Sequence, residues 1–133
     1  MPKRLIGRTN RSRGAQEVQL GAIIKSKYGT DLFLIKDFPS DLRPFYTKWS
    51  ERSHLTKSMD FTLRGQEIVS GSGKADSYKR VLEAMALKGI EPDEYRAYTE
   101  HYKTGGVPPH GGIGTGLKRI VQSYLSLTSV FGT

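Results

Sequence analysis

The sequence predicts an α+β fold, in which an antiparallel sheet is flanked by helices. Four β-prone segments follow one another between residues 32 and 69, and no helical pattern separates them. Helical patterns of apolar residues lie on both sides of these segments. A doubly wound parallel sheet would need a crossover helix between successive strands, so this order favours antiparallel pairing. The length of 133 residues is that of one domain with a modest core.

The first part of the folded region is predicted to form one helix and two strands. Apolar residues recur at helical spacing over residues 15–27, and Gly29 is a suitable stop. The β-prone run 32–35 predicts a buried strand, which Pro39 closes. Residues 45–49 are a candidate second strand.

A hairpin is predicted next in the chain. Met59, Phe61 and Leu63 alternate with other residues, as on a strand with one buried face. Gly65 then marks a turn, and residues 67–69 form the returning strand.

Three helices are predicted after the hairpin. Asp76 is the expected N-cap of the first, which ends at Gly89, and Pro92 opens the second. The second helix carries three tyrosines on one face, which we interpret as packing residues rather than a base-stacking stripe: Tyr95, Tyr98 and Tyr102. The last helix has an apolar face that is predicted to dock on the sheet: Leu117, Ile120, Val121, Tyr124 and Leu125.

Residues 1–14 are predicted to be a flexible basic arm, and residues 15–133 the folded domain. Five basic residues and no acidic residue occupy residues 1–13. Such an arm is typical of nucleic-acid binding, of a mitochondrial presequence and of a solvated terminus. The residues alone leave these three alternatives open.

Composition excludes several classes of function. The chain has no cysteine, which excludes disulfides, cysteine nucleophiles and thiolate metal sites. It has no apolar run of the ~18 residues that a membrane-spanning helix needs. The net charge of +8 favours a polyanionic partner, such as nucleic acid or a nucleotide. His54, His101 and His110 are dispersed and predict no metal cluster, and we interpret His110 as a loop residue.

Residues 105–116 form a glycine-rich passage that could bring backbone N–H groups close to a phosphate. Gly111 and Gly116 have the spacing of the phosphate loop of NTPases, but the Lys-Ser/Thr pair that must follow is missing. The dinucleotide-binding fingerprint also fails, because the third glycine, Gly116, comes one residue too early. The passage is therefore neither of these two loops.

The passage does resemble motif 3 of the class II aminoacyl-tRNA synthetases. Residues 108–119 read PPHGGIGTGLKR, which is similar to this motif in the aspartate–tRNA ligases and their asparagine relatives. Further blocks similar to the family follow its order, namely YGTD at 28–31, DFP at 37–39, RPFYT at 43–47, DF at 60–61 and RGQEIVSG at 64–71. The resemblance covers about residues 16–130 and implies a partial class II catalytic core with the motif 3 half.

The resemblance implies a site for ATP, Mg²⁺ and an amino acid. Arg119 is the implied catalytic residue, with its guanidinium on a terminal phosphate. Asp60 and Glu67 would hold Mg²⁺ together with Ser70, and the two acids would face each other if the hairpin turn centres near Leu63–Arg64. The residues implied to bind ATP are Glu67, Gly114, Gly116, Leu117, Lys118 and Arg119. Those implied to bind the amino acid are Ser70 and Lys74.

The sequence departs from the family pattern at two of these positions. Lys74 replaces an arginine that in the family binds the substrate carboxylate, and lysine keeps the charge but cannot donate two parallel hydrogen bonds. Lys118 replaces a glutamate. Motif 1, motif 2 and the anticodon-binding barrel are not recognisable, so the resemblance implies that a missing N-terminal half or a longer parent would complete the site.

Two functions remain open at this level. The first is a core piece of an aspartate–tRNA ligase, which binds ATP–Mg²⁺ and aspartate or asparagine for aminoacyl-adenylate formation and transfer to tRNA. Its expected partners are tRNA and the missing N-terminal half or a second copy of the chain. The second is a non-catalytic relative that binds RNA or joins a ribonucleoprotein. The family implies a cytoplasmic location, the basic arm leaves a mitochondrial one open, and no membrane partner is expected.

Overall fold

The computed structural model describes residues 10–51 and 54–127, and for residues 10–13 the backbone alone. The helices and strands follow one another in this order: α1 (Asn10–Tyr28), β1 (Leu32–Lys36), β2 (Ser58–Leu63), β3 (Gln66–Gly73), α2 (Tyr78–Leu87), α3 (Arg96–Lys103), β4 (Gly111–Thr115) and α4 (Leu117–Tyr124). Short 3₁₀ turns span Ser40–Leu42 and Pro92–Tyr95. The strands are hydrogen-bonded in the order β1-β2-β3-β4. The predicted α+β class with a sheet flanked by helices is confirmed.

Backbone hydrogen bonds at the ends of the strands show antiparallel pairing. On the β1–β2 pair, Arg64 N donates to Asp31 O, and Asp37 N donates to Ser58 O. These two bonds join residues whose numbers have the same sum, which is the register of an antiparallel ladder. The β3–β4 pair shows the same relation in the bonds from Gly116 N to Ile68 O and from Lys74 N to His110 O.

The chain divides into two compact units. Of the described residues, the first contains 10–34, 60–69 and 115–127, and so includes α1, the tip of the β2–β3 hairpin and α4. The second contains residues 35–59 and 70–114, and so includes α2 and α3. Each strand of the sheet has residues in both units.

The second unit has an apolar core. Its buried members come from the loop after β1, from the segment between β3 and α2, and from α2 and α3, and they are Phe45, Ala75, Val81, Ala84, Met85 and Tyr102. Phe45 makes edge-to-face contacts with Tyr95 and Tyr98, at centroid distances of 5.2 and 5.7 Å. The tyrosine face of α3 therefore packs against this core, as predicted.

Tyr98 and Tyr102 also form a hydrogen bond through their hydroxyl groups, at an O···O distance of 2.6 Å. Burial, together with this bond, raises the pKa of Tyr98 above its ordinary value. The Tyr98 phenol is therefore a neutral polar group packed against the core.

The first unit buries polar side chains instead. Asp60, Thr62 and Ser123 are buried there, and every buried apolar side chain of the described residues lies in the second unit. The prediction that α4 docks by its apolar face is wrong, because Leu117 is 73% exposed and Tyr124 is 81% exposed. The apolar spacing of a helix shows which face would be buried, but it does not show whether a partner surface is present.

The predicted hairpin is confirmed, and its turn has two residues. Arg64 and Gly65 both have positive φ angles, of 52° and 77°, which is the conformation of the tight turns that match strand twist. A Cβ atom on Gly65 would lie 2.7 Å from the Cα atom of Val18, so α1 also approaches this turn too closely for any other residue. Gly65 thus serves both the turn and the contact with α1.

The structure differs from the predicted strands in three places. The segment predicted as a buried strand is β1, an edge strand whose alternate residues Leu32 and Leu34 are about half exposed. Residues 45–49 form isolated bridges rather than a strand. Strand β4 was not predicted, because glycine disfavours strands and the pairing that orders this segment comes from β3, far away in sequence.

The first helix begins earlier than the apolar spacing predicts. It starts at Asn10, so residues 10–14 of the predicted basic arm are helical. Residues 1–9, with the rest of that arm, lie outside the described residues. Across the part of the chain that the structure describes, no helix has both the length and the apolar character to cross a membrane.

Asp76 does not cap α2, contrary to prediction. The N-cap position is Ser77, and Asp76 instead accepts a hydrogen bond from the Lys48 ammonium group in the second unit. This bond lowers the pKa of Asp76 below its ordinary value of 3.8.

The lowered pKa makes a stability contribution that depends on pH. Because the folded state favours the charged carboxylate, the contribution is present above pH ~4 and is lost as the pH falls through the lowered pKa. We expect Asp76→Asn to reduce the free energy of unfolding by roughly 0.5–1 kcal/mol at pH 7, since the pair is partly exposed. In urea denaturation, the difference from wild type should disappear at pH 2. A difference that persists unchanged at pH 2 would contradict this assignment.

Candidate functional site

Arg119 and Glu67 lie at the centre of the candidate site, in the first unit. Glu67 is the second residue of β3, and Arg119 is in the first turn of α4. The Nη1 atom of Arg119 donates to the backbone carbonyl oxygen of Glu67 over 3.2 Å and lies 3.4 Å from its Oε1 atom. The fold thus brings together the guanidinium and one of the two acids that the sequence analysis singled out.

The ion pair between Arg119 and Glu67 is open to solvent. The Arg119 side chain is 52% exposed, and the Glu67 side chain is 26% exposed. Ion pairs at this exposure contribute about 0–1 kcal/mol to stability. A stronger anion than a single carboxylate, such as a phosphate, could therefore replace Glu67 on the guanidinium at little cost.

Asp60 lies diagonally from Glu67 rather than opposite it. Since β2 ends at Leu63 and β3 begins at Gln66, the turn is Arg64–Gly65. In this register the two acids are diagonal neighbours on one face of the hairpin, with Cα atoms about 7–8 Å apart. The prediction that they face each other directly assumed a turn centred one residue earlier and is wrong. Asp60 is also buried, at 1% exposure.

An open cavity lies beside Arg119 and Glu67 in the first unit. Its volume is about 500 Å³, which would hold a small polar ligand. The remaining lining residues come from the hairpin turn, from α4 and from α1, and they are Arg64, Gly65, Gln66, Gln122, Gly14, Glu17 and Val18. Sequence reasoning missed Gln66 and Gln122, because a neutral amide carries no motif of its own.

The other residues of the first unit that the resemblance implies to bind ATP lie at the start of α4, and they are Gly116, Leu117 and Lys118. Gly116 occupies the N-cap position, and its backbone N–H donates to Ile68 O over 2.9 Å. The Leu117 side chain is largely exposed, and Lys118 is also exposed. These residues place the first turn of α4, and with it Arg119, against β3.

Ser70, Lys74 and Gly114 belong to the second unit. Ser70 Oγ accepts a hydrogen bond from Arg43 Nη1 at 3.1 Å. The Lys74 ammonium group lies 4.4 Å from the centroid of the Tyr46 ring, in a cation–π contact. A cavity of about 330 Å³ lies within this unit, and its lining includes the three predicted residues together with Arg43 and Tyr46.

Arg43 is a functional candidate that sequence reasoning did not single out. It belongs to the block RPFYT at residues 43–47, which was noted only as part of the resemblance. Its guanidinium also lies 3.9 Å from the centroid of the Phe38 ring. Arg43 and Lys74 together make this cavity a cationic one.

The histidines lie apart from these two cavities. His110 Nδ1 is 2.9 Å from Pro108 O, within its own exposed loop. Among residues 10–51 and 54–127, no group of three or more histidine, aspartate and glutamate side chains is placed to hold a metal ion.

Comparison with known proteins identifies the family. The family described as tRNA synthetases class II (D, K and N) matches residues 7–131. The "Probable aspartate--tRNA ligase, cytoplasmic" of Encephalitozoon cuniculi is 41% identical over 114 residues, which is 86% of this chain and 24% of that protein. The aspartate–tRNA(Asp/Asn) ligase of Thermus thermophilus is 38% identical over 111 residues, or 84% of this chain and 26% of that protein.

Solved structures show the same relationship. The aspartyl-tRNA synthetase of Entamoeba histolytica matches with a TM-score of 0.82 and 36% identity, over 88% of this chain and 24% of that one. The asparaginyl-tRNA synthetase of Pyrococcus horikoshii, complexed with asparaginyl-adenylate, matches with a TM-score of 0.74 and 25% identity, over 85% of this chain and 26% of that one. The chain spans about a quarter of the length of the relatives it matches. Since sequence and fold agree over most of its residues, this chain belongs to the class II tRNA synthetases.

Proposed function

We propose that this chain supplies part of an aspartate–tRNA ligase site, namely the part that holds ATP–Mg²⁺ and the amino acid. The observation that carries the proposal is the contact between Arg119 and Glu67 at the wall of an open cavity in the first unit. A phosphate-binding cation and a metal-binding oxygen are needed side by side wherever a metal-bound triphosphate is held.

The first unit contributes the groups that suit the nucleotide. The Arg119 guanidinium is a planar, permanently charged donor, which favours a terminal phosphate. Glu67 and Asp60 supply carboxylate oxygens on one face of the hairpin, and oxygen ligands are those that Mg²⁺ prefers. When bound, Mg²⁺ would neutralise negative charge on the triphosphate. The predicted roles of Gly114, Gly116, Leu117 and Lys118 toward ATP, and of Ser70 toward the metal, remain predictions.

The second unit contributes the groups that suit the amino acid. Lys74 and Arg43 place two positive charges beside a cavity, together with the hydroxyl of Ser70. A carboxylate substrate suits this charge, and aspartate is the substrate we propose, with asparagine as the alternative. Lys74 would act as a point charge rather than a two-pronged donor. The names of the relatives, which include aspartate–tRNA(Asp/Asn) ligase, support this choice of substrate.

Adenylate formation and transfer to tRNA would need further groups. The relatives are more than three times as long as this chain, so we propose that the rest of the active site comes from a separate N-terminal half, a longer parent or a second copy. The net charge of +8 suits tRNA as a partner. Relatives from Encephalitozoon cuniculi and Bos taurus are named cytoplasmic, which supports a cytoplasmic location rather than a mitochondrial one.

Isothermal titration calorimetry of the wild-type chain with ATP tests the proposal. We expect saturable binding of one nucleotide in the presence of Mg²⁺ and much weaker binding in the presence of EDTA. Without the metal ion, the negatively charged carboxylates would repel the negatively charged phosphates. Absence of ATP–Mg²⁺ binding, together with RNA binding that falls steeply as salt is raised, would overturn the proposal in favour of a non-catalytic RNA-binding role.

A further inference from the structure

A polar network joins the hairpin to α4 within the first unit. Gln66 Nε2 donates to Gln122 Oε1 over 3.1 Å, and Ser123 Oγ donates to Gln66 Oε1, also over 3.1 Å. Arg64 Nη1 donates to the backbone oxygen of Ser123 over 3.0 Å. We call the three residues Gln66, Gln122 and Ser123 the Gln66 network. Both ends of the Gln66 amide are thereby engaged by α4.

Polar contacts, rather than apolar packing, hold α4 in place within this unit. Ser123 is the buried residue of this helix, at 6% exposure, whereas Leu117, Val121 and Tyr124 are exposed. Gly116 at the N-cap offers no side-chain hydrogen bond to the helix. A helix of eight residues has little stability of its own, so the contacts it makes decide where it lies.

The Gln66 network lies next to the ion pair on both elements. Gln66 directly precedes Glu67 on β3, and Ser123 is four residues after Arg119 on α4, which is about one helical turn. Gln66 and Gln122 also line the same cavity as the ion pair. The hairpin and the helix are therefore joined at two adjacent points, one of which carries the charged groups.

We infer that Gln66 is a positioning residue for the nucleotide site: its amide, bound to Gln122 and Ser123, sets the distance between the Arg119 guanidinium and the Glu67 carboxylate. This inference rests on the proposed function. Without the network, α4 keeps its links to the hairpin through Gly116 and through the bond from Arg64 to the Ser123 backbone oxygen, but the Gln66 amide no longer fixes the position of its later turn. Arg119 then loses the fixed separation from Glu67 that a phosphate and its metal must bridge, and affinity falls because positioning is lost.

Titration of ATP–Mg²⁺ into variants of the full chain tests this inference. Gln66→Met keeps the length of the side chain and removes both hydrogen bonds, and we expect its Kd to rise about 5- to 10-fold. Ser123→Ala, a milder change, should raise the Kd by a similar or smaller factor. The double variant should be no weaker than Gln66→Met alone, because both changes break one network. Gln19→Met, on an exposed position of α1, is the matched control and should leave the Kd unchanged.

The number of binding sites separates positioning from folding. A purely structural defect would lower the fraction of competent molecules and leave the Kd of the remainder unchanged, whereas a positioning defect raises the Kd at an unchanged number of sites. An unchanged Kd in both variants, or strictly additive effects in the double variant, would overturn the inference. If the wild-type chain binds no ATP–Mg²⁺, the proposed function fails first, so the two failures are distinguishable.

Discussion

Replacing Arg119 with alanine should weaken binding of ATP–Mg²⁺ about 10- to 100-fold. The variant removes a charged donor that lies at the wall of the cavity and contacts Glu67, and charge-assisted hydrogen bonds of this kind are the strongest that a side chain can offer a phosphate. Because Arg119 is about half exposed, its loss should leave the free energy of unfolding within about 1 kcal/mol of wild type. Calorimetric titration, together with urea denaturation, measures both quantities.

Arg96→Ala is the matched control for this variant. Arg96 is an exposed arginine at the start of α3, in the second unit, and its removal lowers the net charge by the same amount. If nucleotide binding arose from the overall positive charge, both variants would weaken it equally. Equal losses would therefore contradict a specific role for Arg119.

Replacing Phe45 with alanine should lower the free energy of unfolding by about 3–5 kcal/mol. Phe45 is 8% exposed and makes edge contacts with Tyr46, Tyr95 and Tyr98 at centroid distances between 5.2 and 5.7 Å. The variant leaves a cavity at the centre of this cluster and removes all three aromatic contacts. Since domains of this size are stable by only about 5–15 kcal/mol, the variant should lose a large share of its total stability.

Urea denaturation followed by tryptophan fluorescence measures the effect of Phe45→Ala. Trp49 is the single tryptophan of the chain and packs against this core, so its emission reports on the second unit. Tyr124→Ala is the control, because Tyr124 is 81% exposed and its loss should cost less than about 0.5 kcal/mol. A loss below 1 kcal/mol for Phe45→Ala would show that the cluster does not stabilise this unit.

The candidate site residues were predicted from the family resemblance, and local patterns predicted the elements that carry them. Arg119 was placed at the start of the last helix by the glycine-rich stretch before it, and Glu67 on the returning strand of a hairpin by the turn that Gly65 marks. Each of these local patterns involves only a few adjacent residues, and the structure has Arg119 on the predicted last helix and Glu67 on the predicted returning strand. The contact between the two side chains spans 52 residues, so the order of similar blocks was the only sign of it in the sequence.

Other parts of the site could not be predicted in the same way. The relation of Asp60 to Glu67 depends on which two residues form the turn, and a shift of one residue changes every cross-strand pair. Gln66 and Ser123 have no special spacing, and their roles follow from one hydrogen bond across the fold. Arg43 acquires its place beside Ser70 in the same way.

The sequence alone determined the class of fold, the family resemblance, and the helices and the hairpin whose signals are periodic or lie in turn residues. The tertiary structure decided which apolar faces are buried: the tyrosines of α3 pack on Phe45, whereas the apolar face of α4 lies exposed. It also made a strand of Gly111–Thr115, which has little strand propensity of its own. The physical reason is that periodicity is a property of one segment, whereas burial and strand pairing are properties of two segments that meet only in the folded chain.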